Sequence, residues 1–367
     1  MKYIDEYRDK LLVENLVREI RRETAREWTL MEICGGQTHS ILKYGLHDLL
    51  PEQISLIHGP GCPVCVTSVE IIDRAAELGG NPKVILCSFG DMMRVPGTHS
   101  DLLSVRAKGG DIRIVYSPLD VLGIAEQNPE KEVVFLAVGF ETTAPAVALA
   151  IHQASKRKLD NFSVLNSLVQ VPPAVEALMR SDQNRIAGFL AAGHVCTVMG
   201  YQQYTKLSEK YKIPIVVTGF EPVDILFGIL GAIRMLEHNG YGVENAYGRS
   251  VRPEGNLAAR ELLQKIFVNE DRKWRGIGTI PDSGFLLAPG YERFDAEIRF
   301  QLNLIESEDS ELCMAGEILT GHKKPSECRA FGIDCSPEHP LGAPMVSSEG
   351  VCSAYYRYTR VTAVHQK

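Results

Sequence analysis

The chain of 367 residues lacks several marks that would settle a function at once. No GxGxxG follows a strand, and there is no phosphate-binding P-loop and no GxSxG elbow. Nucleotide-dependent and serine-hydrolase chemistry thus lose their usual signatures. No uninterrupted apolar stretch is long enough to span a bilayer. The charged, amphipathic first ten residues have none of the apolar core that a signal peptide needs, so a cytoplasmic protein without a membrane partner is expected. Positive charge is scarce as well. The 39 Lys and Arg against 46 Asp and Glu leave a net charge of −7, which argues against a broad nucleic-acid surface but not against a local basic pocket. A hydrophobic fraction of 45% and a charged fraction of 23% suit a globular chain with room for two or three cores.

What the chain does have is cysteine, nine in all. A reducing compartment does not sustain structural disulfides, so metal ligation and redox chemistry are the expected uses. Cys34 closes the apolar run of Trp28-Thr-Leu-Met-Glu-Ile and is followed by Gly-Gly. Cys62 and Cys65 lie in Gly59-Pro-Gly-Cys-Pro-Val-Cys. Each stands where a strand meets a glycine turn that opens a helix. Such a place is expected to leave the sulfur exposed and to lower its pKa through the positive helix end. The Cys62–Cys65 spacing serves dithiol redox, half of a zinc site, paired ligation of another metal, or a structural pair. The zinc reading wants a second close pair, and none exists. Cys34 alone reads as a core thiol or, with its glycines, as a site of close backbone approach. His39, one turn into the next helix, is either a satisfied group or one that orients a ligand.

Alternating strands and helices predict an α/β protein with parallel sheets and function at the carboxyl ends of the strands. A charged helix precedes residue 27, with apolar positions Leu12, Val13, Leu16, Val17 and Ile20. It is expected to pack on the C-terminal region. Two α/β domains are expected over residues 28–120 and 121–240. An echo links them, because Gly139-Phe-Glu141 and Gly219-Phe-Glu221 each follow a continuous apolar strand. Thr67 and Glu70 have capping-box spacing before a helix. If the first two units are neighbours in one sheet, Cys34, Cys62 and Cys65 meet at one edge and suit a soft metal or iron. Residues 241–367 keep helical stretches around Leu257 to Val268 and Ser310 to Leu319 and otherwise read as loop-rich and metal-stapled. Cys313, Cys328, Cys335 and Cys352 there have the gaps C-x14-C, C-x6-C and C-x16-C, which match no standard ferredoxin run. Spacing leaves a [4Fe–4S] cluster, a four-thiolate zinc site and unrelated core cysteines all open. Cys87 reads as a core residue and Cys196 as ambiguous. Asp91, Glu141, Glu221 and His194 stand at strand ends, where an acid either orients ligands and protons or caps a helix.

In combination these motifs resemble the HypD family of [NiFe]-hydrogenase maturation proteins. The matching pieces are Cys34-Gly-Gly-Gln-Thr-His39, Gly59 to Cys65, Phe89-Gly-Asp91 through Val95-Pro-Gly97, Gly139 to Pro145, Ala192-Gly-His194, Gly219 to Pro222 and the four late cysteines. Gln37 departs from the family, which often has histidine there. The resemblance implies a scaffold that assembles an Fe(CN)2CO unit with a HypC-type partner. It implies cyanide supplied by a HypE-type protein and delivery to the hydrogenase large-subunit precursor. It further implies that Cys34 holds the assembling iron, that Cys62 and Cys65 act as an exchangeable dithiol, and that the four late cysteines bind a [4Fe–4S] cluster. On that basis the cluster and the dithiol would supply electrons, with His39 orienting the iron. Two other classes remain as alternatives: an iron–sulfur protein-disulfide reductase, and a zinc-stapled scaffold without redox chemistry.

Overall fold

The computed structural model describes residues 5–302 and 307–359. Its strands are β1 (Trp28–Glu32), β2 (Ile54–His58), β3 (Val84–Ser88), β4 (Ile112–Ile114), β5 (Glu132–Gly139), β6 (Phe162–Leu168), β7 (Gly188–Ala192), β8 (Pro214–Thr218), β9 (Gly242–Asn245), β10 (Phe267–Trp274) and β11 (Gly278–Leu287). They form a five-stranded sheet ordered β2-β1-β7-β8-β9, a four-stranded sheet ordered β4-β3-β5-β6 and a hairpin β10-β11. Every pairing within the two larger sheets is parallel. The strands β3, β5, β6, β7 and β8 are buried almost throughout, as the continuous apolar runs require of a sheet covered on both faces. The expected α/β class is what the chain adopts.

The division at residue 120 does not follow the sheets. β1, with β2 on its outer edge, pairs with β7, which returns only after residue 187, and the four-stranded sheet is built from the intervening chain. Strand–helix alternation specifies each unit, whereas sheet membership is decided by which buried edges meet, and those meetings are long-range. β9 joins the larger sheet at residue 242, past the expected boundary at 240.

One further expectation is corrected. Helix α1 (Lys10–Glu23) buries Leu16, Val17 and Ile20 against the helix Pro222–Glu237, not against the C-terminal region, and Leu12 is exposed. That partner helix is apolar nearly all round and offers the larger face. The helix expected around residues 257–268 is present as Leu257–Ile266, and it leads into the hairpin, whose turn uses positive φ at Gly276 and Gly278. Short helices and turns dominate only after Ala288.

At the junction of the two sheets lies the short helix Pro63–Val66, which follows β2 and packs against β5. No capping box forms beyond it. Ser68 precedes the helix Val69–Gly80, the Thr67 hydroxyl donates to the Pro63 carbonyl at 2.9 Å, and Glu70 pairs with Lys273 of the hairpin. The helix starts one residue later than a box based on Thr67 requires.

Glu237 closes the N-terminal strand onto its neighbour helix. Its carboxylate accepts from the Trp28 indole at 2.8 Å, the Ala25 and Arg26 amides at 2.9 and 3.1 Å, and Arg26 Nε at 3.1 Å. Burial pushes this carboxyl up, but the four donors outweigh it and bring the pKa down to about 2. A carboxyl lowered in the folded state adds stability that is present above its unfolded value and is lost as pH falls through the folded one. The wild-type chain should therefore lose stability between about pH 4.5 and pH 2. Glu237→Gln should lack that part of the slope and be about 2 kcal/mol less stable at pH 7. Urea unfolding at a series of pH values measures both.

Candidate metallocentre and thiol site

The site starts from one buried carboxylate. In the parallel register Glu32, the last residue of β1, stands opposite His58, the last residue of β2. Glu32 is fully buried. One of its oxygens accepts from the Cys34 amide at 2.8 Å. The other meets His58 Nδ1 at 2.6 Å and the Thr38 hydroxyl. These donors orient the turn from β1 into α2 (Gly35–Lys43), and Cys34 occupies the position just before that helix.

The Cys34 thiol lies 3.7 Å from His194 Nδ1. His194 opens the helix Gly193–Met199 directly after β7, and its ring lies 5.1 Å from that of Phe220 in the turn after β8. Gln37 Nε2 fills the space between the ends of these strands, 3.3 to 3.4 Å from the carbonyls of Ala191, Thr218 and Gly219. The Gly59-Pro-Gly61 turn after β2 lies on Cys34 itself. Gly35 N donates to Gly61 O at 2.9 Å, and a Cβ at Gly61 would overlap the Cys34 backbone. The glycine is there for close approach. Cys34, Cys62 and Cys65 thus meet at one carboxyl edge, as neighbouring units require.

Their chemical state differs from the expectation. Cys34 is 2% exposed, and burial pushes its thiol well above the ordinary range. The amides of Gln37 and Gly36 pull the other way, but the Glu32 and Glu349 carboxylates reinforce the burial. A helix end supplies a fraction of a charge, and full desolvation outweighs it. Cys62 and Cys65 are buried and joined as a disulfide. In this arrangement Cys34 alone offers a thiol. Burial brings His194 down to about 4, so its ring is neutral at pH 7.

His39 does not face Cys34. Five residues along a helix turn a side chain about 140° away, and the ring nitrogens of His39 lie 3.2 Å from the Ser348 carbonyl and 3.3 Å from the Tyr358 hydroxyl. Of the strand-end acids, Asp91 accepts from the Ser347 hydroxyl at 2.8 Å, and Glu221 caps its helix and pairs with Arg8. Glu141 is buried, accepts from the Val171 amide at 2.9 Å, and is raised by burial to about 7. Cys87 and Cys196 are core residues.

Cys313, Cys328, Cys335 and Cys352 line a single pocket, with Ala330, Phe331, Leu341 and Met345 as its apolar walls. Leu341 N donates to Cys335 Sγ at 3.4 Å, and a Cβ at Gly342 would overlap Cys313 Sγ. Burial raises the Cys313 thiol to about 11. It also raises Cys352, with the charges of the other three adding to the effect. Among the described residues, no three His, Cys, Asp or Glu side chains are grouped to hold one metal ion, and no helix is long and apolar enough to cross a membrane.

Glu32 and His58 do not stand out by their residue types, and Phe220 stands out only as part of the Gly-Phe-Glu echo. An acid and a histidine ending successive apolar strands were the available signal for the first two. It becomes legible only when the strands are known to be neighbours.

Fold and site together define a parallel α/β protein with cysteines gathered at a sheet edge and around a four-cysteine pocket. The family model described as "Hydrogenase formation hypA family", HypD, matches residues 11–359. The hydrogenase maturation factor HypD2 of Bradyrhizobium diazoefficiens is 45% identical, covering 98% of this chain and 97% of its own. The hydrogenase maturation factors HypD of Azotobacter vinelandii and Escherichia coli are 44% and 43% identical over 98% of this chain, and over 97% and 98% of theirs. The chain belongs to the HypD family, and its role lies in hydrogenase maturation.

Removing the Glu32 carboxylate leaves a buried histidine, a hydroxyl and the Cys34 amide without their acceptor. Glu32→Ala should cost about 3–5 kcal/mol. Glu32→Gln, which keeps one acceptor, should cost less. Denaturant midpoints of the two variants rank them.

Proposed function

We propose that the chain is the scaffold on which the Fe(CN)2CO unit of the hydrogenase is assembled, with iron as its cargo and Cys34 as the protein ligand for it. A HypC-type partner would supply a further ligand, a HypE-type protein the cyanide, and the large-subunit precursor would receive the unit. The observation that carries this reading is the meeting of three elements at one sheet edge. A free thiol fixed through its amide by Glu32 and a neutral His194 lie beside a disulfide whose leading turn rests on the Cys34 backbone.

Each residue then has a task. Glu32 sets the direction of Cys34, and His194 takes a hydrogen bond from its thiol. Opening the Cys62–Cys65 disulfide consumes two electrons and two protons, and closing it returns them, so the pair is a two-electron store beside the cargo. The thiols Cys313, Cys328, Cys335 and Cys352 suit a [4Fe–4S] cluster. One thiolate per iron tolerates donors spread around a pocket. A structural zinc held by four thiolates at about 2.3 Å is the alternative for the same residues. When bound, such a cluster supplies electrons one at a time. The disulfide-reductase alternative is less well supported, because attack on a protein disulfide requires access, and Cys62 and Cys65 are 3% and 0% exposed. Thiols kept free for ligation fit a cytoplasmic location.

Anaerobically purified protein should contain about four irons with a broad visible band, lost in a Cys328→Ala/Cys335→Ala variant. About one zinc and no colour would return the inert scaffold to first place. Cys34→Ala should keep the distal iron and fail to retain cargo iron with the partner. Normal hydrogenase maturation by that variant would remove Cys34 from the role.

A further inference from the structure

The two thiol centres are joined by one short helix. The C-terminal helix Val351–Tyr358 carries Cys352 into the four-cysteine pocket, and four residues later Tyr356 stacks edge-on against Phe331 of the same pocket, 6.2 Å between centroids. The tyrosines at 355 and 358 point elsewhere. Tyr355 meets the His58 ring edge-on at 5.6 Å, and His58 is the partner of Glu32, which holds the Cys34 amide. Tyr358 donates to, or accepts from, His39 Nε2 at 3.3 Å, and their rings lie 5.2 Å apart at 90°. The segment leading into the helix adds two more ties. The Ser348 carbonyl meets His39 Nδ1, and the Glu349 backbone lies so close to Gly35 that a Cβ there would come within 2.6 Å of its oxygen. Gly35 is the residue after Cys34.

We infer that the helix Val351–Tyr358 is a positioning strut between the four-cysteine pocket and Cys34, with Tyr355 acting through His58 and Glu32, and Tyr358 acting through His39 on α2. This assigns His39 a positioning role in place of contact with iron. The inference deepens the scaffold reading, on which its purpose rests, since ordering of the distal pocket would then set the direction of the thiol that takes the cargo. Packed side chains and a rigid element with contacts at both ends are what such coupling requires.

The test reads Cys34 alone, without iron, so it fails or succeeds apart from the iron-binding reading. Iodoacetamide is added to the full chain, and the alkylation rates of the Cys34 and Cys87 peptides are followed by mass spectrometry. Cys87, buried in β3, reports global opening. Tyr355→Ala should speed Cys34 alkylation about tenfold by easing local opening, with Cys87 still protected. Tyr355→Phe, which keeps the ring edge, should restore the slow rate. Cys352→Ala should also speed Cys34. If Cys34 in Tyr355→Ala stays within about twofold of wild type, the strut is refuted. If both peptides speed up together, the decision passes to Tyr358→Phe, which removes only a hydroxyl. A rise confined to Cys34 supports the strut, and no rise refutes it.

Discussion

A carboxylate buried without solvent survives only when its donors surround it, and that requirement governs the functional half of this molecule. Glu32 meets it with the Cys34 amide, the Thr38 hydroxyl and His58. The three donors come from the turn, the helix and the neighbouring strand. Satisfying them at once fixes the register of β1 against β2, the entry of α2 and the direction of Cys34. A slip of one residue between the strands would bury the charge unpaired and turn every side chain to the other face. Gln37 extends the same order sideways by bridging the ends of β7 and β8. The thiol is thus set by a network that contains no other sulfur.

That network explains why the cysteines differ from their first description. Position alone marks them as reactive, since each stands at a helix start. Environment reverses this. Apolar packing around Cys34 raises its thiol, and the nearby carboxylates add to the effect. A buried, protonated thiol is inert until something displaces its surroundings or replaces its proton with a metal. Protection at rest and ligation on demand are compatible properties of one residue.

How far the sequence could be read depended on range. Local signals were sound: the apolar runs of β3, β5 and β8, the glycine turns behind Cys34 and Cys62, and the core placement of Cys87 were legible from neighbours along the chain. The four late cysteines read as one set from their gathering in the last part of the chain, but their spacing carries no pattern that separates a cluster from a zinc site. What failed was long-range. Sheet membership of β1 and β2, the docking of α1 on the helix Pro222–Glu237, and the turn of His39 toward Tyr358 all depend on segments distant in sequence. Trp274 and Ser283 pair across a hairpin whose first strand carries mostly polar residues and whose second is interrupted by Gly, Pro and Asp, so its sequence reads as loop. Glu32 and His58 became a pair only once their strands were adjacent.

The interleaved order of the sheets also bears on how the molecule is made. The four-stranded sheet is complete when the chain has been synthesised as far as Leu168. β1 and β2 must wait for β7, about 160 residues after β1, before the larger sheet has an interior. Until then the edge carrying Cys34, Cys62 and Cys65 has no second strand neighbour, no His194 and no Phe220 beside it. A nascent chain emerging from the ribosome therefore leaves these sulfurs uncovered until it has been made as far as β8 and Phe220. On the proposed scaffold reading, in which these thiols later meet iron, the reducing environment at the site of synthesis is part of the fold's working conditions.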